Sequence, residues 1–422
     1  MSSRVVITGL GPVSPSGSKL EDFEANIFGT RAASFEPVWV EEQAAETGIV
    51  DADSPIKELR SGLRHLNKLH TNSDLPNIRP GDPLIYKLAL VAGTTAMNEA
   101  GQEQRRLDDE AGENASLIFG GGQPPEAILK LKNDFDEGQI ITRAGSTSTH
   151  GARAAALARL FNIQGFVQET ASACSSALDA IIQGFKLIKH GGSSLSLCGG
   201  IDTLVDPMIL QFFKQSTLLA TAKDSLGTAC RPFCQDSDGA SLSNGGGLVR
   251  LEALEQADKE KILAEVVGAA SSFDAQYALK PNLKGMVRAI NKALQEANIE
   301  AGDIDFIQLH ATGTSHNDQA EAKVLREVFA DHLPKIKITA NKSRVGHMMG
   351  GSGFQSLAEL ALGLARDKVP VTQVNSKLDS ELCRDLHFTI NDTEDFKGRY
   401  GMALSMGFGG YNSCVILKKF QD

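Results

Sequence analysis

No stretch of this chain stays apolar for the roughly 20 residues a bilayer crossing needs, so no membrane span is expected. The amino end has no basic segment followed by an apolar one, and no secretory signal is expected either. A disulfide framework is missing too. The six cysteines, at 174, 198, 230, 234, 383 and 414, follow no paired spacing. Cys230 and Cys234 stand close in sequence without a second pair of ligands, so no zinc or other metal site is expected. Free thiols point to a reducing, cytoplasmic setting. Positive charge is not in excess: 42 Lys and Arg against 52 Asp and Glu leave a net charge of −10, which argues against nucleic acid as a partner. Linkers and low-complexity runs are absent from the pattern.

What is present suits a large α/β protein. The 422 residues suffice for two ordinary domains or one duplicated one, and 41 glycines suit many tight turns. An irregular run from Thr71 to Asp82 reads as a loop before a helix over 83–100. Elsewhere short apolar segments alternate with helical ones, which predicts a parallel sheet with helices on both faces. Predicted strands begin near Arg4, Ala115, Gly165, Leu195 and Gly246, then near Ala264, Ile304, Ile336, Phe388, Tyr400 and Ser413. The clearest helices run over 152–161, 175–190, 284–297, 318–329 and 352–367.

The sharpest signal is Cys174, in the run TASACSSALDA over 170–180. It lies between a strand-like segment and a strong helical run, which places the thiol at a helix start. Unpaired N–H groups there favour the thiolate, the nucleophilic form. A lone cysteine is more often a packing residue. Two histidine motifs change that balance. HATGTSHND over 310–318 and NKSRVGHMMGGSG over 341–353 each place a histidine at a strand end in a Gly-rich turn. Sites of open α/β sheets form at such carboxyl ends.

These three motifs, with Gly407-Phe408-Gly409-Gly410-Tyr411-Asn412 and the amino-terminal run from Arg4 to Ser14, resemble the β-ketoacyl-acyl-carrier-protein synthases of the thiolase superfamily. The resemblance spans Met1 to Lys418. It implies a five-layered αβαβα fold of two pseudo-duplicated halves, residues 1–250 carrying Cys174 and residues 251–422 carrying His310, Lys342 and His347. It implies a dimer, with Ser193 to Gly200 as the strand pairing across the two-fold axis. It also implies the chemistry. Cys174 is the nucleophile, and His310 and His347 donate to a malonyl thioester oxygen. Lys342, expected to keep an ordinary pKa, orients His310. The backbone N–H groups of Phe408 and Cys174 form an oxyanion hole, and Phe408 gates the site. Thr312 and Thr314 hold the phosphopantetheine arm. Asp318 and Glu321 are structural partners near Lys342, and His316 is a turn residue.

By the same resemblance no cofactor is permanently bound. The substrates arrive on the phosphopantetheine of an acyl carrier protein. Carrier proteins of this family are acidic, so a net-negative chain needs a local basic patch to dock one. Lys57, Arg60, Arg64 and Lys68 share one helix face by spacing. Such a run is equally a solvated face.

Departures from the family pattern are visible. Ala311 stands at the second position of His-Gly-Thr-Gly-Thr, which matters if that residue needs positive φ. Met349-Gly350-Gly351-Ser352-Gly353 replaces the usual Gly-Ala-Ala-Gly turn, and Ser237 and Gly245 or Gly246 replace an Arg and a Glu. These favour a type II polyketide or polyene pathway, with a homodimer or a heterodimer with a cysteine-less chain-length-factor subunit. Alternatives are housekeeping fatty acid elongation, a thiolase-fold acyltransferase that forms no carbon–carbon bond, and a non-catalytic binding subunit. The intact Cys174, His310, Lys342 and His347 argue against the last.

Overall fold

A computed structural model describes residues 2–29, 35–40, 43–48, 57, 82–99, 106–123, 125–137, 149–221, 229–275, 282–374 and 376–421. Eleven strands make one large sheet. They are β1 (Val5–Val13), β2 (Ala115–Gly120), β3 (Val167–Thr170), β4 (Leu195–Asp202), β5 (Gly245–Ala253), β6 (Ala264–Phe273), β7 (Phe306–Gln308), β8 (Lys337–Thr339), β9 (His387–Phe388), β10 (Tyr400–Gly407) and β11 (Tyr411–Lys418). Their spatial order is β9-β8-β7-β10-β11-β6-β1-β5-β4-β2-β3.

The sheet repeats itself about its middle. There β1 and β6 pair antiparallel, with Val5 opposite Val266. Outward from that seam each half runs through two antiparallel pairings and then two parallel ones: β1-β5-β4-β2-β3 on one side, β6-β11-β10-β7-β8 on the other. The sheet is therefore parallel only at its flanks, where the alternation of strands and helices predicted parallel pairing throughout. The reason is local. A turn of only three residues joins β10 to β11, and so short a connection permits only an antiparallel hairpin.

Helices fill three layers. Helices α1 (Leu84–Glu99) and α2 (Ala152–Phe161) share one apolar core with β2 and β4. The middle helices are α3 (Ser176–Lys189), which follows β3, and α7 (Ser352–Arg366), which follows β8. Between them along the chain lie α4 (Pro207–Gln215), α5 (Leu283–Ala297) and α6 (Ser315–Phe329), the last two packing a separate core on the far side. Residues 352–364 of α7 are buried all round, as an apolar helix sandwiched between layers must be. Asp367, at φ 54°, ends it in the left-handed conformation. Gly353 lets α7 approach α3: a Cβ there would lie 2.8 Å from the Leu178 backbone nitrogen. This close crossing carries the turn preceding each helix to the same place, and those turns hold Cys174 and His347.

One further expectation changes. Ser193–Gly200 is not a seam strand, because β4 is paired on both sides, by β2 and β5, and all eight of its residues are buried. An interior strand and a buried seam strand carry the same apolar composition, so the sequence does not separate them. Among the described residues, the strand with an outer edge unpaired on this flank is β3, whose first residue Val167 is 38% exposed, with Phe166 just before it 46% exposed. Of the loop expected over 71–82, all but Asp82 lies outside the described residues.

Candidate active site

The turn between β3 and α3 is built around Cys174. Ala173 takes φ 51°, a conformation that costs an L-residue about 1–2 kcal/mol and turns the chain sharply into the helix. Ser176 secures the turn, accepting from the Ser172 N–H at 2.9 Å and donating to the Ala173 carbonyl at 2.7 Å. The end of β10 presses against it. A Cβ on Gly407 would meet the Ser172 carbonyl oxygen at 2.6 Å, so only glycine fits. From β10, Ser405 donates to the Cys174 carbonyl at 2.8 Å.

The sulfur faces two histidines. His347 Nε2 lies 3.2 Å from Cys174 Sγ, and its Nδ1 lies 2.8 Å from Ser352 Oγ. The His310 ring stands edge-on to His347, with centroids 5.4 Å apart and planes at 83°. The sulfur and one ring nitrogen from each histidine all lie within 4.8 Å of one another. Soft cations favour such donors. Here, however, a lysine backs the group and sets a positive charge against it.

That lysine is Lys342, only 1% exposed. Its Nζ donates to the His310 carbonyl oxygen and lies 3.5 Å from His310 Nδ1. An ammonium has donors only, so the facing Nδ1 is the acceptor and the ring proton sits on Nε2. Burial lowers the Lys342 pKa, with Glu321 as the main opposing charge, which overturns the expectation of an ordinary lysine. The cause is that an ammonium this deep loses its hydration.

Two carboxylates hold the His310 loop. Glu321 accepts from the N–H groups of His310 and Ala311 at 2.7 and 2.8 Å. Asp318 accepts from Phe233 at 2.9 Å and Gly313 at 3.3 Å. Burial raises Asp318 to about 6 and Glu321 to about 7, while these N–H bonds and Lys342 pull both back. Ala311 does take positive φ, 44°, so the methyl that replaces glycine is held in a strained turn by Glu321. His316 belongs to the first turn of α6, exposed at the cavity mouth, rather than to a free turn.

Electrostatics set the resting state. Burial holds both imidazoles well below their ordinary value, and the Lys342 charge adds to it, so both are neutral. Burial also pushes the Cys174 thiol up to about 12. Lys342 and the N–H groups of Phe408 and Cys174, which reach the sulfur, pull it down, and Asp202 pushes it up. The helix start alone predicted a thiolate. At this depth the loss of hydration wins, and the thiol is neutral.

A cavity of about 440 Å³ leads to this group, with Thr312, Thr314 and Phe408 on its walls. The two threonine hydroxyls are 2.8 Å apart. Phe408 packs against Phe213 with centroids 5.9 Å apart, and Gly409 and Gly410, at φ 92° and 97°, give its turn the freedom other residues lack. Asp274 steadies that turn, accepting from Asn412 Nδ2 at 2.9 Å and donating its N–H to the Gly410 carbonyl.

Of the residues the sequence singled out, Cys174, His310, Lys342, His347, Thr312, Thr314 and Phe408 converge here. Arg60, Arg64 and Lys68 lie outside the described residues, and Lys57 is exposed. Sequence reasoning missed Ser352, Ser405, Phe213, Asp274 and Asp202, whose carboxylate accepts from Gly122 and Gly350, each at 2.7 Å. Only Ser352 left a trace, as a departure from the expected turn.

Comparison with known proteins agrees along the whole chain. The profile of the β-ketoacyl synthase N-terminal domain matches residues 2–257 and that of the C-terminal domain residues 263–375. The 3-oxoacyl-[acyl-carrier-protein] synthase 2 of Staphylococcus aureus strain N315 is 26% identical over 450 aligned positions, covering 100% of this chain and 99% of the relative. Its namesake from Coxiella burnetii is 27% identical, covering 99% of each. Among solved structures, the ishigamide ketosynthase/chain length factor superposes with a TM-score of 0.79 at 25% identity, covering 100% of both chains. The AntDE–AntF complex, a type II PKS acyl-carrier protein with its ketosynthase bound to the hexaketide, superposes at 0.84 and 21%, again covering 100% of both, which speaks for the thiolase-type fold. The chain belongs to the β-ketoacyl synthase family.

Proposed function

We propose that this chain is a β-ketoacyl-acyl-carrier-protein synthase that elongates a carrier-bound acyl chain by decarboxylative condensation with a malonyl thioester, in a type II polyketide or polyene pathway. The observation that carries the reading is the convergence of Cys174 Sγ with a nitrogen of each histidine within 4.8 Å, backed by Lys342.

Cys174 attacks the acyl thioester, and its proton leaves with the displaced carrier thiol. The N–H groups of Cys174 and Phe408 receive the transient oxyanion. The malonyl thioester then enters along Thr312 and Thr314. Its carbon–carboxylate bond breaks, carbon dioxide departs, and the electron pair becomes an enolate. The Nε2–H groups of His310 and His347 donate hydrogen bonds to the enolate oxygen. Neutral rings suit this, since they stabilise charge without giving up a proton early. The enolate carbon attacks the Cys174 thioester, the carbonyl re-forms, and the sulfur leaves as the thiolate and takes up a proton from water. Lys342 fixes His310 and supplies positive charge. No permanent cofactor enters this sequence; the carrier's phosphopantetheine delivers both substrates.

The rest of the reading follows. Residues 1–250 and 251–422 act as the two halves. The subunit works in the cytoplasm beside an acyl carrier protein, docked on the basic residues Lys57, Arg60, Arg64 and Lys68. It pairs through the open edge of β3 with a second copy or a chain-length subunit. The names of the solved relatives support that partner class. Free thiols support the compartment. Among the described residues no helix is long and apolar enough to cross a membrane.

The test is mass spectrometry of products from acyl- and malonyl-carrier proteins, with and without a candidate partner subunit. A β-ketoacyl product two carbons longer, with carbon dioxide released, is expected. Acyl transfer without carbon dioxide would mark an acyltransferase instead.

A further inference from the structure

We infer that Ser352 is a positioning residue that fixes the tautomer of His347, placing its proton on Nε2, toward the reacting centre. The inference rests on the proposed donor role of His347 and supplies what that role requires. Ser352 is 2% exposed, at the first position of α7. Among the described residues its hydroxyl has one hydrogen-bonding neighbour, Nδ1 of His347 at 2.8 Å. The other ring nitrogen faces Cys174 Sγ at 3.2 Å.

Two proton arrangements are possible, and they are not equal. If Nδ1 carried the proton, it would donate to Ser352 Oγ, and the buried hydroxyl would have no acceptor for its own proton. If the hydroxyl donates to Nδ1, every donor is used. Nε2 then carries the proton and donates into the site.

Two consequences follow. His347 cannot take the Cys174 proton through Nε2 in the resting state, because that nitrogen is already protonated. It is instead set to donate to an oxygen that replaces the sulfur as its acceptor. The neighbouring ring reaches the same state by another device, the Lys342 ammonium facing His310 Nδ1. The halves of the donor pair are thus set separately, one by a cation and one by a hydroxyl. The turn Met349-Gly350-Gly351-Ser352-Gly353 departs from the usual small apolar residues at the position that supplies this hydroxyl.

The test is 15N NMR of the full-length protein with labelled histidine, the His347 signals being those lost in His347→Gln. The expected wild-type spectrum has the proton on Nε2, and Ser352→Ala converts it to a mixture of tautomers. Malonyl decarboxylation by that variant falls at least tenfold more than acyl loading of Cys174. A proton on Nδ1 in the wild type, or an unchanged His347 spectrum in Ser352→Ala, overturns the inference. Unchanged carbon dioxide release by His347→Ala would instead refute the donor role, leaving the tautomer readout intact.

Discussion

In the proposed mechanism Cys174 meets opposite demands: burial would protect an acyl-enzyme from water, yet it raises the thiol to about 12 and so disfavours the attacking form. The N–H groups of Phe408 and Cys174 and the charge of Lys342 offset part of that penalty. Cys174→Ala should therefore abolish acyl loading, read as the missing mass increase of the intact protein after incubation with acyl-carrier protein; an acylated variant would remove the nucleophile assignment. The histidines carry a second residue-scale prediction. His347 is held below its ordinary 6.5, so below that pH the unfolded chain binds a proton the folded site refuses, and acid favours unfolding. Asp318 and Glu321 act with opposite sign. Their folded values, about 6 and 7, exceed the unfolded 3.8 and 4.5, so their contribution is present in acid and lost as pH rises through those values. Because these groups oppose one another, the informative quantity is a difference between proteins. From pH 6.5 downward, the unfolding free energy of wild type should fall more steeply than that of His347→Gln, by up to about 1.4 kcal/mol per pH unit. Parallel urea-denaturation series would show it, and equal slopes would mean that the buried ring is already charged.

At the scale of elements, the site is where two helix starts meet. The α3–α7 crossing brings the turns of Cys174 and His347 together, and Gly353 lies tightly against Leu178 within it. Gly353→Ala should lower stability by about 1–3 kcal/mol through overpacking against Leu178. It should also slow acyl loading and decarboxylation together, because it moves both turns. Thermal unfolding with the two partial reactions measured separately checks this; an effect on one reaction alone would mean the crossing does not set the geometry. The same scale marks how far the sequence can be read. The nucleophile turn, both histidine loops and the Gly-Phe-Gly-Gly hairpin are local devices, and each is legible because small residues sit where the chain must turn or approach closely. At the sheet centre only the β10–β11 hairpin is local. The pairing of β1 with β6 joins segments separated by some two hundred and sixty positions, and no periodicity records that. The misplaced seam strand has the same cause, since β4 is apolar whether its neighbours belong to this chain or another. Ser352 was visible only as an odd residue, because its meaning depends on which atom of His347 it reaches.

For the whole molecule the unresolved tension is charge. A chain of net charge −10 repels an acidic carrier at long range, so productive encounter requires a local field of the other sign near the cavity mouth. The mouth does not supply it alone: Asp238, on the cavity wall, is paired with Arg231 at 2.9 Å. In the proposed reading four basic residues that share one helix face by spacing, Lys57, Arg60, Arg64 and Lys68, supply it. Exposed charges act mainly on association and are screened beyond about 10 Å at 0.1 M salt. Reversing two of them, Arg64→Glu with Lys68→Glu, should therefore weaken carrier binding on the order of tenfold at low salt, mostly through a slower association rate. The difference should shrink as salt rises, and turnover at saturating carrier should be preserved. Surface plasmon resonance across a salt series measures both rates. Affinity equal to wild type at every salt concentration would place the docking surface elsewhere and leave the aromatic rim of the cavity, Phe213 and Phe408, as the contact that admits the carrier's arm.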